Sequence, residues 1–257
     1  MESKKMLYNQ RAEVILQQLQ LQAVVKISDL TELLHVSVDT VRRDLRTMES
    51  QGMVKCVRGG ACLPDTLAAF SNFKGREIIH SDLKREAAKK AVRYVKDGTL
   101  IALNAGTTNT ILAQELALRN EHFTVVTNNL AAAQILMQNP LIELISIGGM
   151  VDVMEKSTYG TVCEQEFQNY YPDLAFLSIN AVNYQDGFTD FRYHEEGVIQ
   201  ILARNSQQTI AVMDSSKLGK RSKKNVLTFN EVDRLLMDDG VSDRLKEEYG
   251  QKGLKIE

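Results

Sequence analysis

Cysteine is scarce: three residues in 257, Cys56, Cys62 and Cys163, with no CxxC pair. An odd, scattered set excludes a disulfide framework and argues against a zinc site, and a reducing, cytoplasmic setting is expected. The four histidines lack metal-ligand spacing, so neither a metal nor another cofactor is expected. No apolar run approaches the roughly 18 residues a membrane helix needs. The start, Met1–Gln10, has no apolar segment behind its charges, so neither a secretory leader nor a membrane partner is expected. An excess of either charge is also missing: 31 basic side chains face 33 acidic ones, a net of −2. That excludes a wholly basic nucleic-acid binder but leaves room for a small basic module on an acidic body. What is present, 44% hydrophobic and 25% charged residues, is an ordinary soluble globular composition, with length enough for one large or two smaller domains.

The chain divides near residue 63. Residues 1–62 hold nine Lys or Arg against seven Asp or Glu, a net of +2, which leaves −4 for the remainder. Residues 63–80 carry a proline, a glycine and weak periodicity and read as a linker. Residues 81–257 alternate short apolar runs with amphipathic stretches. The runs are Leu100–Leu103, Phe123–Val126, Leu141–Ile147, Leu174–Ile179, Thr209–Met213 and Arg234–Met237. Such alternation predicts an α/β domain with a mostly parallel sheet covered by helices on both faces.

Residues 7–21 have helical spacing, with Ala12, Ile15, Leu16 and Leu19 on one side, and Val24–Ile27 is β-like. Ser28 then reads as the cap of a helix whose first turn is acidic. A break at His35-Val36-Ser37 precedes a second helix capped by Ser37. At about 100° per residue, Val38, Val41, Leu45 and Met48 fall in one inward stripe. Thr40, Arg43, Arg46, Thr47 and Ser50 fall opposite, with Arg42 on the shoulder. Standing alone, such a polar face is a solvated one. Paired with a short first helix across a tight turn, at about residues 25–44, it has the geometry of a recognition helix in a major groove. Arg42, Arg43 and Arg46 are suited to guanine edges or phosphates, and Ser37 and Thr40 to backbone or bases. Gly52 reads as the helix stop. Met53–Ala61 reads as a hairpin with a Gly-Gly turn, a wing whose Lys55 and Arg58 reach phosphates or the minor groove.

In open parallel sheets ligands bind beyond the carboxyl ends of the strands. Polar and glycine residues follow the runs there: Asn104-Ala-Gly-Thr-Thr-Asn109, Thr127-Asn-Asn129, Gly148-Gly149, Asn180 and Asp214-Ser-Ser-Lys217. The first is the best anion seat. Gly106 lets backbone approach a ligand, Thr107 and Thr108 offer hydroxyls, and N–H groups at a helix start favour phosphate. Lys217 is a candidate counter-charge, although a surface lysine is its ordinary role.

These motifs carry a resemblance. Val38-Asp-Thr-Val-Arg-Arg-Asp-Leu45 followed by Gly52-Met-Val-Lys-Cys-Val-Arg-Gly-Gly-Ala61 resembles the winged helix-turn-helix of the DeoR family of bacterial sugar-metabolism regulators. Gly106-Thr107-Thr108, Thr127-Asn128, Gly148-Gly149, Gly160, Asp186-Gly187 and Asp214–Lys217 follow in the family's order, so the likeness spans roughly residues 5–240. It implies a winged helix-turn-helix over residues 1–62 and, over 81–257, a domain similar to ribose-5-phosphate isomerase that senses a phosphorylated sugar or related metabolite and mediates self-association. It also implies double-stranded operator DNA as partner and a dimer or tetramer. Carried over, Gly106, Thr107, Thr108 and Lys217 hold the phosphate, and Asn104, Asn128, Gly148 and Gly149 line the pocket. Four places depart from the family pattern. Arg58 stands for a histidine, Cys56 for an arginine and Asn104 for an aspartate, and Ser178–Asn183 occupies a stretch where many members have glycines.

The rival reading is a sugar-phosphate isomerase with an appended DNA module. Isomerisation needs a general base at the substrate carbon, and Asn180–Asn183 offers no carboxylate before Asp186. Glu195 and Glu196 read as a solvated first turn. No G-x-G-x-x-G follows a strand, which disfavours a dinucleotide enzyme. No catalytic residue is expected, and the reading adopted is a DNA-binding repressor of a carbohydrate-utilisation operon.

Overall fold

Apolar residues three and four apart in the first fifty positions become helices around one small core. The computed structural model describes residues 6–22, 24–51, 53–63 and 73–257, and the chain forms two compact units, Met1–Ser81 and Asp82–Glu257. In the first, α1 (Tyr8–Leu21), β1 (Val24–Lys26), α2 (Ile27–Leu34) and α3 (Val38–Ser50) precede a hairpin of β2 (Lys55–Val57) and β3 (Gly60–Cys62). β3 is central, antiparallel to both β1 and β2. Ile15, Leu19, Leu30, Leu34, Val41, Leu45 and Met48 fill the core with Val25, Val54 and Ala61. Each such side chain contributes roughly 1.5–3 kcal/mol by leaving water. Gly60 is required where β3 crosses β1, because a Cβ there would lie 2.1 Å from the Val25 carbonyl oxygen.

Several local expectations are corrected. Ser28 does not cap α2: the cap position is Lys26, and the Ser28 hydroxyl donates instead to Asp29 at 2.9 Å. Val38 is 40% exposed and leaves the inward stripe, because it opens the helix before the first turn reaches the core. Gly52, read as the helix stop, lies outside the described residues. Within the expected linker 63–80, Phe73–Ile78 is a helix, α4, lying against β1 with Phe73 buried. Six residues are too few to show a period, so a single buried aromatic anchored this helix without a legible pattern.

The second unit holds α5 (Ser81–Val92), β4 (Leu100–Leu103), α6 (Thr107–Leu116), β5 (Phe123–Thr127), α7 (Leu130–Leu136) and β6 (Ile142–Ser146). A hairpin of β7 (Met150–Asp152) and β8 (Ser157–Tyr159) leads to α8 (Thr161–Phe167) and β9 (Leu174–Leu177). Then come β10 (Ala181–Asn183), β11 (Gly187–Asp190), α9 (Glu196–Asn205), β12 (Gln208–Val212), β13 (Lys224–Leu227), β14 (Arg234–Leu236) and α10 (Asp243–Gly250). The six apolar runs are the six strands of one parallel sheet, in the order β14-β12-β9-β4-β5-β6. Side chains alternate between its faces. Ile101 and Leu103 face the core shared with α5, α6 and α7, while Ala102 faces the one shared with α8, α9 and α10. The antiparallel pair β7–β8 and the small sheet β10-β11-β13 were not anticipated, since their segments mix a few apolar residues with polar ones and form no apolar run. Among the described residues no helix is long and apolar enough to cross a membrane.

Candidate functional site

The nucleic-acid face is built on α3. Ser37 caps it, its Oγ accepting the Thr40 N–H at 3.2 Å and lying 2.9 Å from the Thr40 hydroxyl. Val41, Leu45 and Met48 are buried behind, while Arg42, Arg43 and Arg46 are exposed in front. Arg42 lies 3.7 Å from exposed Asp39, a loose solvated pair. Lys55 on β2 and Arg58 in the β2–β3 turn are exposed too.

Two interactions that sequence reading missed hold this face. Asp44, on the buried side of α3, takes a fork from Arg11 of α1 at 2.6 and 2.9 Å, which raises the Arg11 pKa. Glu49 accepts the Cys56 N–H at 2.7 Å, tying the end of α3 to the wing. Burial, then the Glu49 carboxylate, pushes the Cys56 thiol up to about 11, so the residue standing for an arginine there is a protonated, unreactive thiol. Neither Asp44 nor Glu49 interrupts the helical pattern, so only their partners across the fold distinguish them from solvated acids.

In the second unit the carboxyl ends of β4, β5 and β9 meet around a buried polar cluster. Gly106 is the first residue before α6, at φ +143°, and a Cβ there would lie 2.4 Å from Ser178 Oγ and 3.1 Å from Arg192 Nη1. The N–H groups of Thr107, Thr108 and Asn109 open α6 and have no intrahelical acceptor. Both threonines are nearly covered, at 5% exposure.

Glu195, expected in a solvated turn, is 2% exposed. It accepts from Asn128 Nδ2 at 2.9 Å, from the Ala105 N–H at 3.2 Å and from Asn104 Nδ2 at 3.4 Å. Burial raises its pKa, against the opposing pull of Arg192 and Asn128. Glu196, one residue on, is half-exposed and pairs with Lys224. Arg192 forks onto Asp190 at 3.0 and 2.7 Å and also donates to the carbonyls of Ala105 (2.6 Å) and Ser178 (2.8 Å). Burial pushes the Asp190 carboxyl up, but Arg192 outweighs it and holds it below the ordinary value. Carboxylates therefore do reach this edge of the sheet, from the end of β11 and the segment after it rather than from Asn180–Asn183.

Asn104 is fully buried, and its amide works in both directions. Its Oδ1 accepts from Ser178 N–H at 2.8 Å and Asn109 Nδ2 at 2.9 Å, while its Nδ2 faces Glu195. An aspartate at this position would set a second carboxylate against Glu195, which is a physical reason for the amide.

Of the residues expected at the pocket, Asn104, Gly106, Thr107, Thr108 and Asn128 are gathered here. Gly148 and Gly149 are exposed between β6 and β7. Lys217 ends a 3-10 turn after β12, which is two places from β4 in the sheet, and is half-buried.

Comparison with known proteins agrees with this layout. Residues 11–66 match the DeoR-like helix-turn-helix domain, and residues 79–239 match the DeoR C-terminal sensor domain. Ribose 5-phosphate isomerase A of Methanocaldococcus jannaschii aligns at 24% identity over 54% of each chain, with a TM-score of 0.41. The HTH-type transcriptional regulator GolR of Listeria innocua is 32% identical over 90% of this chain and 91% of its own length. A putative aga operon transcriptional repressor of Escherichia coli is 29% identical over 96% and 93%. The HTH-type transcriptional repressor GlcR of Bacillus subtilis is 30% identical over 83% and 82%. These relatives are named as regulators rather than enzymes. The chain is a DNA-binding transcriptional regulator and belongs to the DeoR family.

Proposed function

We propose that this regulator represses a carbohydrate-utilisation operon and that a phosphorylated sugar, bound at the carboxyl edge of the six-stranded sheet, changes its affinity for operator DNA. The observation that carries the reading is the split of α3, with arginines 42, 43 and 46 exposed on one side and Val41, Leu45 and Met48 sealed on the other. Arginine side chains on such a face reach guanine edges and phosphates, and Lys55 and Arg58 add backbone contacts from the wing. Spaced operator half-sites call for at least two copies of the chain. The names of the aga operon relative and of a glycerol-3-phosphate regulon repressor of Escherichia coli, 27% identical over 89% of this chain, support a metabolic operon as target.

In the sensor unit, the first turn of α6 at Gly106, Thr107 and Thr108 is the seat for the phosphate, with Lys217 as counter-charge. The effector acts only through its differential affinity for the two domain arrangements. The test is fluorescence-anisotropy titration of promoter fragments at several salt concentrations, with and without phosphorylated sugars. Salt-sensitive binding that shifts with one sugar phosphate is expected, and the shift is lost in Thr107→Val and Lys217→Ala without loss of DNA binding. A wild-type response in both variants places the effector elsewhere.

A further inference from the structure

Exposed apolar side chains gather on the β7–β8 hairpin. Met150, Val151, Val153 and Met154 follow one another closely, and each is between 55 and 79% exposed. Single exposed hydrophobics are ordinary, but a cluster of them marks a contact. Beside them runs a groove of about 290 Å³, walled by Val151 and Val153 on the hairpin and by Leu130, Ala131 and Gln134 of α7, with Lys156. β7 is also an edge strand, since its sheet holds only β7 and β8. Edges are usually guarded by lysine, proline or a covering element. Met150-Val151-Asp152 has neither residue. Its one acid is turned back onto the hairpin tip, where Asp152 Oδ1 accepts the N–H groups of Met154 and Glu155 at 2.9 and 3.0 Å.

This face is held in place. The Leu130 N–H donates to the Lys156 carbonyl and the Thr158 N–H to the Asn128 carbonyl, both at 2.9 Å. Asn128 Nδ2 returns a bond to the Thr158 carbonyl at 2.9 Å. Hairpin and helix start therefore form one preformed surface, which spares a docking partner the cost of ordering a loop. The four hairpin side chains leave roughly 400 Å² of apolar surface uncovered, a patch of the size that is often functional. Two such faces with their grooves bury about 1,000 Å² together, which is what a specific contact requires. The patch also carries both halves of a contact. Met154 is an unbranched, adaptable knob beside an apolar groove, and a twofold axis passing between them sets the knob of each copy into the groove of the other.

We propose that this face is where a second copy of the chain docks, with Met154 of each copy seated in the groove between the hairpin and α7 of the other. The proposal rests on the reading above that spaced operator half-sites call for two copies. The test is sedimentation velocity of the full chain over a concentration series, with far-ultraviolet circular dichroism as the check that each variant is folded.

Met154→Glu and Val153→Glu are each expected to weaken self-association by at least about thirtyfold, the scale of a central interface side chain. Leu118→Glu charges an apolar side chain that is 77% exposed after α6, and it is expected to stay within about twofold of the parent. A parent tetramer that falls to dimers in the hairpin variants supports the proposal as a dimer that falls to monomers does. Parent-like self-association in both hairpin variants, or an equal loss in Leu118→Glu, overturns the proposal alone. A parent that is monomeric at every concentration overturns it as well. If a single copy also suffices on operator DNA, the two-copy reading falls with it.

Discussion

Arg11 of α1 closes a two-bond fork, at 2.6 and 2.9 Å, onto Asp44 in the middle of α3. Asp44 sits between Arg43, exposed in front, and Leu45, sealed behind. The pair therefore fixes the rotation of α3, and with it the direction in which its arginines point. Both side chains are largely covered, at 12% and 4% exposure. Removing one partner strands the other in the core.

Arg11→Ala is accordingly expected to cost about 3 kcal/mol of stability in the N-terminal unit, as broken buried pairs do. Urea unfolding followed by circular dichroism measures it. Operator affinity should fall as well, although Arg11 lies behind the recognition helix. A variant with full operator affinity would mean that the pair does not orient α3.

Arg43→Ala is expected to weaken operator binding by about 1–3 kcal/mol, the scale of a base-edge contact, and to relax sequence preference. Lys55→Ala is expected to lower the salt slope of binding by about one and to act equally on all sequences. Anisotropy titrations with operator and scrambled DNA separate the two. Effector binding should be unchanged in both variants.

Gly106→Ala forces a Cβ to within 2.4 Å of Ser178 Oγ at a φ of +143°. A loss of about 1–3 kcal/mol is expected from that strain, together with weakened effector binding. Gly148 has nothing within 4 Å of an added Cβ, so Gly148→Ala should stay within about 0.5 kcal/mol of the parent. Thermal unfolding of the two variants side by side provides the comparison.

Asp190→Asn leaves the Arg192 guanidinium buried without its charge partner, and a loss of about 3 kcal/mol at neutral pH is expected. Because Arg192 holds the folded-state pKa of Asp190 below its unfolded value, the carboxylate contributes its full stability above the unfolded value. That contribution is lost as pH falls through the depressed folded one. The gap between parent and variant should therefore close on acidification, which unfolding midpoints measured across an acid pH series would show. A gap constant down to the lowest pH would contradict the pairing.

Periodicity made much of the molecule legible. Short apolar runs marked all six parallel strands, and the 3.6-residue repeat separated the sealed and arginine-bearing sides of α3. The residues following each strand, Gly106 to Thr108 and Asn128 among them, were legible as an edge because parallel strands all end on the same side. Short elements were not. α4, the β7–β8 hairpin and β10-β11-β13 carry too few residues to show a repeat.

What the chain determined by itself is therefore which faces are apolar and where turns and helix starts fall, since backbone geometry imposes those repeats locally. What the tertiary structure alone decided is which charged side chains go inside. Arg11 finds Asp44 across 33 residues and Asn104 finds Glu195 across 91. An acid on a helix or in a turn reads as solvated until its partner is known. Burial of a charge is settled only by the donors that surround it in the folded protein.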